Sequence, residues 1–186
     1  ANGTNRFQDQ VFERIFNEKE TLGISTTGSG KSFCFWLPAL LKPGLSLVAA
    51  PLKSLMRDQR LSLQNNGIAS AEFINSEVNS DEQLRFMAEA KAGYLRLLYI
   101  SPERLRIKKF VEQLEDLQQV VPINLLAIDE AHCLSEWGHD FRPSYLKLPL
   151  KRKELATGNP GLRLVALTAT AGQMVEHDIR NILGLT

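Results

Sequence analysis

The sequence is poor in the features that mark secreted, membrane-spanning and fibrous proteins. Its 186 residues include only two cysteines, Cys34 and Cys133, too few for a disulfide framework, so we expect a reducing compartment. Uncharged stretches such as 32–41 and 43–52 reach about half of the ~20 residues that a membrane-spanning helix needs. The N-terminal region carries charge, as at Arg6, and lacks the apolar run of a signal peptide. We therefore expect no membrane partner.

An excess of charge of one sign is also missing. The chain has 22 basic and 21 acidic residues, a formal net charge of +1. This balance excludes a globally basic nucleic-acid coat, so any contact with nucleic acid must come from a local patch. Hydrophobic residues make up 44% and charged residues 23% of the sequence, close to the globular average. We expect one domain with a full hydrophobic core.

Apolar runs alternate with amphipathic segments along the chain. Six strands are predicted, at 22–25, 45–50, 71–74, 97–100, 124–128 and 162–167. Several are apolar throughout, which is typical of strands covered on both faces. The intervening segments have helical spacing, and a capping box is predicted at Ser80 and Gln83. The alternation predicts an α/β fold with a mostly parallel sheet and helices on both faces, whose ligands bind at the carboxyl ends of the strands.

The loop after the first predicted strand has the composition of a phosphate-binding loop. Residues 25–32 read STTGSGKS and precede an apolar helix beginning near Phe33, with Ser25 where the common pattern has glycine. Glycines let backbone N–H groups approach phosphates, and the helix N-terminus adds partial positive charge. Lys31 would neutralise the β- and γ-phosphates, and the Ser32 hydroxyl would bind Mg²⁺. The predicted nucleotide-binding residues of this loop are Thr27, Gly28, Ser29, Gly30, Lys31 and Ser32. A plain Gly/Ser turn is the alternative.

Two acidic residues follow the fifth predicted strand. Asp129 and Glu130 stand at its carboxyl end, and His132 comes two residues later. Phosphoryl transfer depends mainly on positioning and charge neutralisation. Asp129 would therefore bind Mg²⁺, Glu130 would deprotonate the attacking water and His132 would lie near the γ-phosphate, with Lys31 completing the predicted catalytic set. The alternative is an acidic helix N-terminus, where carboxylates are favoured in any protein.

The phosphate loop, the acidic pair and a third segment near the C-terminal end resemble motifs of superfamily 2 helicases. Residues 27–32 (TGSGKS), 129–132 (DEAH) and 167–171 (LTATA) are similar to motifs I, II and III. By this resemblance, Thr168 and Thr170 would link the ATP site to the nucleic-acid face.

A longer segment narrows the resemblance to one family. Residues 131–145 (AHCLSEWGHDFRPSY) closely resemble the aromatic-rich loop of RecQ-family DNA helicases, while 51–59 and 99–105 resemble motifs Ia and Ib of that family. The similarity runs from about residue 6 to residue 185. We name residues 137–145 the aromatic loop.

The resemblance implies a RecA-like three-layer sandwich that binds ATP and Mg²⁺. Residues 1–186 would form the first of two RecA-like motor domains, as a fragment of a longer protein whose second RecA-like domain is a partner. ATP hydrolysis would drive translocation on single-stranded DNA and unwinding at duplex junctions, in DNA repair and recombination. The expected location is the cytoplasm, at the nucleoid, or the nucleus. The isolated fragment is expected to be weakly active or inactive.

Single-stranded DNA is bound by positive charge combined with aromatic stacking. The aromatic loop supplies both, and it begins a few residues after Glu130, which suggests coupling between DNA and ATP. The residues predicted to meet nucleic acid are Trp137, His139, Phe141, Arg142, Lys53, Ser54, Arg57, Ser101 and Arg104.

The RecQ family also carries an adenine-binding motif ahead of the phosphate loop. Residues 6–10 read RFQDQ, with arginine and phenylalanine in the reverse of the family order. Gln10 is predicted to pair with adenine, because an amide both donates and accepts hydrogen bonds.

Three other functions remain open at this stage. An RNA helicase of the DEAH type and a translocase on duplex DNA share the same motifs. A non-catalytic nucleic-acid-binding module is a third alternative, although the acidic pair and the phosphate-loop lysine argue against it.

Overall fold

A six-stranded sheet forms the centre of the structure, a computed structural model that describes residues 4–169 and 171–185. The strands are β1 (Thr21–Ile24), β2 (Leu45–Ala49), β3 (Ala71–Ile74), β4 (Leu97–Ile100), β5 (Ile123–Ile128) and β6 (Arg163–Thr168). Their order is β1-β6-β5-β2-β4-β3, and every pairing is parallel. Each strand overlaps a predicted one, so the α/β prediction is confirmed.

Helices cover both faces of the sheet. They are α1 (Arg6–Phe16), α2 (Phe33–Leu41), α3 (Lys53–Asn65), α4 (Ser80–Lys91), α5 (Lys108–Gln118), α6 (Leu148–Thr157) and α7 (Gln173–Leu183). Short 3₁₀ helices span Pro102–Arg106, Ala131–Leu134 and Pro143–Lys147. Within the described ranges, no helix is long and apolar enough to span a bilayer.

Two hydrophobic clusters, one on each side of the sheet, give the three layers. Helices α1 to α3 pack on one face through residues such as Phe35 and Met56, and α4 to α7 pack on the other through residues such as Phe110. Strand β2 serves both clusters, since Leu47 points into one and Val48 into the other. Strands buried on both faces explain the continuous apolar runs of the sequence.

The start of α4 differs from the sequence prediction by one residue. Asn79, not Ser80, is the N-cap: its side chain accepts from the Glu82 N–H at 2.9 Å, and the Glu82 carboxylate accepts from the Asn79 N–H at 3.4 Å. The predicted partner Gln83 is buried and donates to Gln113 instead. The capping box predicted at Ser80 and Gln83 is therefore wrong.

The parallel sheet places the predicted motifs along one edge. Strands β1, β6, β5 and β2 are consecutive neighbours. At their carboxyl ends stand the phosphate loop, Ala169, Asp129 and the segment leading to α3. All four loops thus converge where ligands of such sheets bind.

Candidate nucleotide site and nucleic-acid interface

The phosphate loop has the backbone shape that its glycines predict. Gly28 (φ +80°) and Gly30 (φ +76°) occupy the left-handed region, which is readily accessible to glycine. The Lys31 ammonium curls over the loop and donates to the carbonyls of Ser25 and Thr26, each at 3.0 Å. Helix α2 begins two residues after Lys31, so its N-terminus faces the same concave loop.

The glutamine against this loop is Gln8, not Gln10. The Gln8 side chain is buried, and its Nε2 donates to the Gly30 carbonyl at 3.1 Å, while Asn5 Nδ2 donates to the Ser29 carbonyl at 3.0 Å. Gln10 is exposed and lines a groove between α1 and β1. Because residues two apart on a helix point in nearly opposite directions, only one of the two glutamines can reach the loop.

The N-cap of α1 carries a sequence signal that distinguishes Gln8 from Gln10. Asn5 and Gln8 form the capping box of α1, each side chain accepting from the other's backbone N–H. Residues in these two positions face the turn that precedes the helix. Gly30 leaves space for the Gln8 side chain, since a Cβ at position 30 would lie 2.5 Å from Gln8 Nε2.

Asp129 is buried at the carboxyl end of β5 and held from several sides. Its N–H donates to the Ala49 carbonyl at 2.9 Å. Its Oδ2 accepts from Gln59 Nε2 at 2.9 Å, and its Oδ1 accepts from the Glu130 N–H at 3.1 Å. Burial raises the pKa of Asp129 to about 6, because a low dielectric disfavours the charged form. Gln59 was not predicted, since its contact joins positions 70 residues apart.

Glu130 has an unusual backbone conformation for a residue with a side chain. Its φ of +51° and ψ of +51° lie in the left-handed region, which is uncommon outside glycine and concentrated at functional sites. Its carboxylate lies 3.2 Å from His132 Nδ1. That hydrogen bond holds the pKa of Glu130 below its ordinary value. Glu130 is therefore an ionised carboxylate that is able to accept a proton.

The predicted magnesium ligands suit a hard cation chemically. A carboxylate offers about four lone-pair sites, and the Asp129 oxygens use two of them. The Ser32 hydroxyl begins α2, beside the phosphate loop. Across the described residues, no group of three or more His, Cys, Asp or Glu forms a metal cage. Mg²⁺ typically takes one or two protein oxygens together with phosphates and waters, so Asp129 and Ser32 are chemically suited to hold it.

The aromatic loop packs directly on the DEAH segment. The rings of His132 and His139 stack with centroids 4.2 Å apart and 22° between their planes. Gly138 lies so close to the His132 carbonyl that a Cβ would collide with it. The His132 Nδ1 atom, which lies near Glu130, also lies 2.9 Å from Thr168 Oγ1. Thr168 is thus beside the site, whereas Thr170 lies outside the described residues.

Arg142 closes the aromatic loop and ties it to α3. Its N–H donates to the Cys133 carbonyl at 2.9 Å, its guanidinium donates to Asp140 at 2.9 Å, and its Nη1 donates to the Pro51 carbonyl at 2.7 Å. Pro51 leads into α3. Arg142 therefore organises the surface that the sequence predicts for nucleic acid.

Aromatic residues of the loop divide between surface and core. Trp137 is 70% exposed, and Phe141 is half-buried. Tyr145 is fully buried, and its hydroxyl donates to the Asp129 carbonyl at 3.1 Å. Trp137 and Phe141 are therefore accessible from solvent to different degrees, while Tyr145 packs beneath the acidic pair.

A cavity of about 380 Å³ lies between the predicted motifs at this edge of the sheet. Thr27 of the phosphate loop, Glu130 and His132 line it together with His139 and Ala169. The positive charge of Lys31 partly opposes the burial that raises the pKa of Asp129 and, after the His132 hydrogen bond, adds to the lowering of the pKa of Glu130. The predicted nucleotide and nucleic-acid residues therefore meet at one place.

The remaining predicted DNA contacts are less uniform. Lys53, Ser54 and Arg57 are exposed on the first turns of α3, and the two cations lie 3.7 and 2.8 Å from the Glu77 carboxylate.

The two candidates that follow β4 face inward instead. Ser101 is buried. The Arg104 guanidinium donates to Gln83 and lies 5.8 Å from the centre of the Phe110 ring. Partial burial lowers the pKa of Arg104. Of these five predicted contacts, the three at the start of α3 are therefore the exposed ones.

Comparison with known proteins agrees with this geometry. The family model of the DEAD/DEAH box helicases matches residues 5–177. The chain is 43% identical over 178 residues to the probable ATP-dependent DNA helicase RecS of Bacillus subtilis, covering 96% of this chain and 34% of that protein. It is 41% identical to the ATP-dependent DNA helicase RecQ of Haemophilus influenzae, covering 96% of this chain and 27% of that protein.

A solved structure supports the fold independently of sequence identity. The helicase MrfA bound to DNA and AMPPNP superimposes with a TM-score of 0.76 at 15% identity, covering 96% of this chain and 26% of that chain. The chain spans about a third or less of the relatives named above. It belongs to the DEAD/DEAH box helicase family and is a motor domain of the RecQ-like DNA helicases within that family.

Proposed function

We propose that this chain is the first RecA-like motor domain of a longer helicase, in which ATP hydrolysis drives movement along single-stranded DNA and unwinding of duplex junctions. One observation carries the proposal: the His132 ring touches Glu130 on one side and stacks on His139 of the aromatic loop on the other. A loop suited to DNA is thus one side chain away from the candidate catalytic carboxylate. Such a protein would work at chromosomal DNA, in the cytoplasm or the nucleus.

The nucleotide half of the site acts by holding charge and moving one proton. The phosphate loop binds the triphosphate through its backbone N–H groups, and Lys31 neutralises the β- and γ-phosphates. Ser32 and Asp129 would hold Mg²⁺, which supplies further charge neutralisation of the phosphates. Glu130 orients the attacking water and accepts its proton, as its ionised state allows.

The DNA half of the site combines one stacking platform with one short basic patch. Trp137 and Phe141 stack on bases, while Lys53, Ser54 and Arg57 contact phosphates. This local patch agrees with a net charge of only +1. His139 and Arg142 hold the loop in place between DNA and the DEAH segment.

The test is the steady-state ATPase rate of the full-length protein that contains this chain, measured with single-stranded DNA, duplex DNA and RNA in turn. We expect strong stimulation by single-stranded DNA. Stimulation by RNA alone would indicate an RNA helicase, and stimulation by duplex alone would indicate a duplex translocase. No turnover with any of them would indicate a non-catalytic binding module. The isolated chain should hydrolyse ATP slowly, because the second RecA-like domain is expected to complete the site.

Replacing Gln8 should weaken ATP binding, although the sequence pattern points to Gln10. We propose that Gln8 takes the adenine-contacting role, since it is the glutamine beside the phosphate loop. Gln8→Ala is expected to raise the Kd for ATP by roughly 3- to 10-fold, the effect of about 1 kcal/mol for one net hydrogen bond. Titration with a fluorescent ATP analogue measures this. Gln10→Ala is the matched control and should bind like the wild type; the reverse ranking of the two variants would contradict the assignment.

A further inference from the structure

Gln59 joins the proposed DNA surface to the candidate magnesium ligand. It lies on α3, whose first turns carry the exposed cations Lys53 and Arg57. Gln59 itself is 7% exposed on the buried side of that helix, and its Nε2 donates to Asp129 Oδ2 at 2.9 Å. A single side chain therefore connects the DNA-facing helix to the carboxylate.

The position of Gln59 is unusual for its chemistry. Met56 and Leu63 lie on the same helical stripe and are fully buried core residues. Gln59 Oε1 is buried with no hydrogen-bond partner among the residues that the structure describes. A buried amide with one unpaired end is unfavourable for packing alone. Its donating end, aimed at Asp129, is the feature that an apolar residue could not supply.

The backbone of Asp129 is held by other elements, whereas one of its two carboxylate oxygens is held by α3. The backbone is bound to Ala49 of β2 through its N–H and to Tyr145 through its carbonyl. Of the two carboxylate oxygens, Oδ1 is held by the adjacent Glu130 N–H, and Oδ2 is held by Gln59. A displacement of α3 would therefore act directly on Oδ2, while the strand keeps its own contacts.

We infer that Gln59 is a positioning residue, through which single-stranded DNA bound at the start of α3 sets the orientation of Asp129 toward Mg²⁺. The inference rests on the proposed function, since it requires DNA to meet α3. Partners that orient metal ligands typically change metal affinity 10- to 100-fold when removed. Coupling between two binding sites is reciprocal, so Mg²⁺–nucleotide should also tighten DNA binding through the same contact.

The matched variants separate donation from packing. Gln59→Met keeps the length and approximate volume of the side chain and replaces the amide, whose one described contact is the donation to Asp129, in a stripe that already holds methionine. Gln59→Leu also removes the donor but has a side chain of different shape, so it gives an independent test of the same contact. Gln64→Met is the control, because Gln64 is exposed on the same helix and its side chain, among the described contacts, accepts a hydrogen bond from Arg60 alone.

The experiment uses the full-length protein and two binding measurements. Electron paramagnetic resonance gives the affinity for Mn²⁺, a probe for the magnesium site, in the presence of a non-hydrolysable ATP analogue. Fluorescence anisotropy gives the Kd for single-stranded DNA with and without the Mg²⁺-bound analogue. We expect both Gln59 variants to bind Mn²⁺ about tenfold more weakly. We also expect the analogue to shift their DNA affinity by less than twofold, while Gln64→Met behaves like the wild type.

Two results would overturn the inference, and they are distinguishable. If the wild type couples DNA to nucleotide and both Gln59 variants retain this coupling and the wild-type Mn²⁺ affinity, Gln59 does not position Asp129. If the wild type itself shows no coupling, the proposed DNA motor fails as well. Thermal unfolding, followed by circular dichroism, identifies a variant that has lost its fold. The Mn²⁺ and DNA measurements on the other Gln59 variant then test the inference.

Discussion

Glu130→Gln is expected to lower ATP hydrolysis about 10²- to 10⁴-fold, the usual contribution of a general base, while nucleotide binding stays near the wild-type level. The amide has the size of the carboxylate but cannot accept the proton of the attacking water. Glutamine can also keep the contact with the His132 ring, which lies 3.2 Å from the present carboxylate. The substitution therefore removes the proton acceptor and little else.

Two assays separate this chemistry from a loss of structure. The ATPase rate of the full-length protein at saturating single-stranded DNA measures the chemical step, and titration with a fluorescent ATP analogue measures binding. Glu112→Gln is the control, since Glu112 is an exposed carboxylate on α5 that pairs with Lys108 at 3.5 Å. If Glu130→Gln hydrolyses ATP at the wild-type rate, another group is the base, and the strained conformation of Glu130 needs a different explanation.

Much of the fold follows from local patterns. The six strands could be predicted because each is a largely apolar segment of four to six residues between turn or helix signals. The phosphate loop could be predicted from the spacing of its glycines and Lys31. Those glycines, Gly28 and Gly30, occupy positive-φ positions that other residues rarely adopt. The acidic pair could be predicted because it directly follows an apolar strand. In each case the determining residues are neighbours in the sequence.

The errors arise where the position of a residue depends on helix phase. Gln10 and Gln8 have the same chemistry and differ only by two positions on α1, but the helix starts at Arg6 and turns Gln8 toward the loop. The same applies to α4, where Asn79 and not Ser80 is the cap. Since a helix turns by about 100° per residue, a small error in its start changes which side chains meet.

Contacts between distant segments could not be predicted at all. Gln59 meets Asp129 across 70 residues, and the Tyr145 hydroxyl meets the Asp129 carbonyl from inside the core. Arg104 has the charge of a phosphate contact, yet Gln83 and Phe110 hold it against the protein. Sequence spacing identifies chemical groups, whereas tertiary packing decides which groups face the ligand.

Trp137→Ala is expected to abolish most of the stimulation of ATP hydrolysis by single-stranded DNA and to leave the unstimulated rate unchanged. Stacking of one base on an aromatic side chain contributes about 1–3 kcal/mol, so the Kd for single-stranded DNA should rise by roughly 5- to 150-fold. Trp137 is 70% exposed, which means that its removal costs the fold little packing. Lys31 and Glu130, which we propose to act on the nucleotide, make no described contact with Trp137 and should stay in place.

The control for this prediction is another exposed aromatic residue far from the proposed interface. Tyr94 is 73% exposed and precedes β4, at the edge of the sheet opposite the phosphate loop. Tyr94→Ala should therefore keep wild-type stimulation, and Trp137→Phe, which retains a stacking surface, should recover most of it. Anisotropy with labelled DNA and the ATPase titration measure both quantities. Wild-type stimulation in Trp137→Ala would contradict the proposal that the aromatic loop transmits DNA binding to ATP hydrolysis. The stacked His132 and His139 rings would then connect the proposed ATP site to a loop that does not bind DNA.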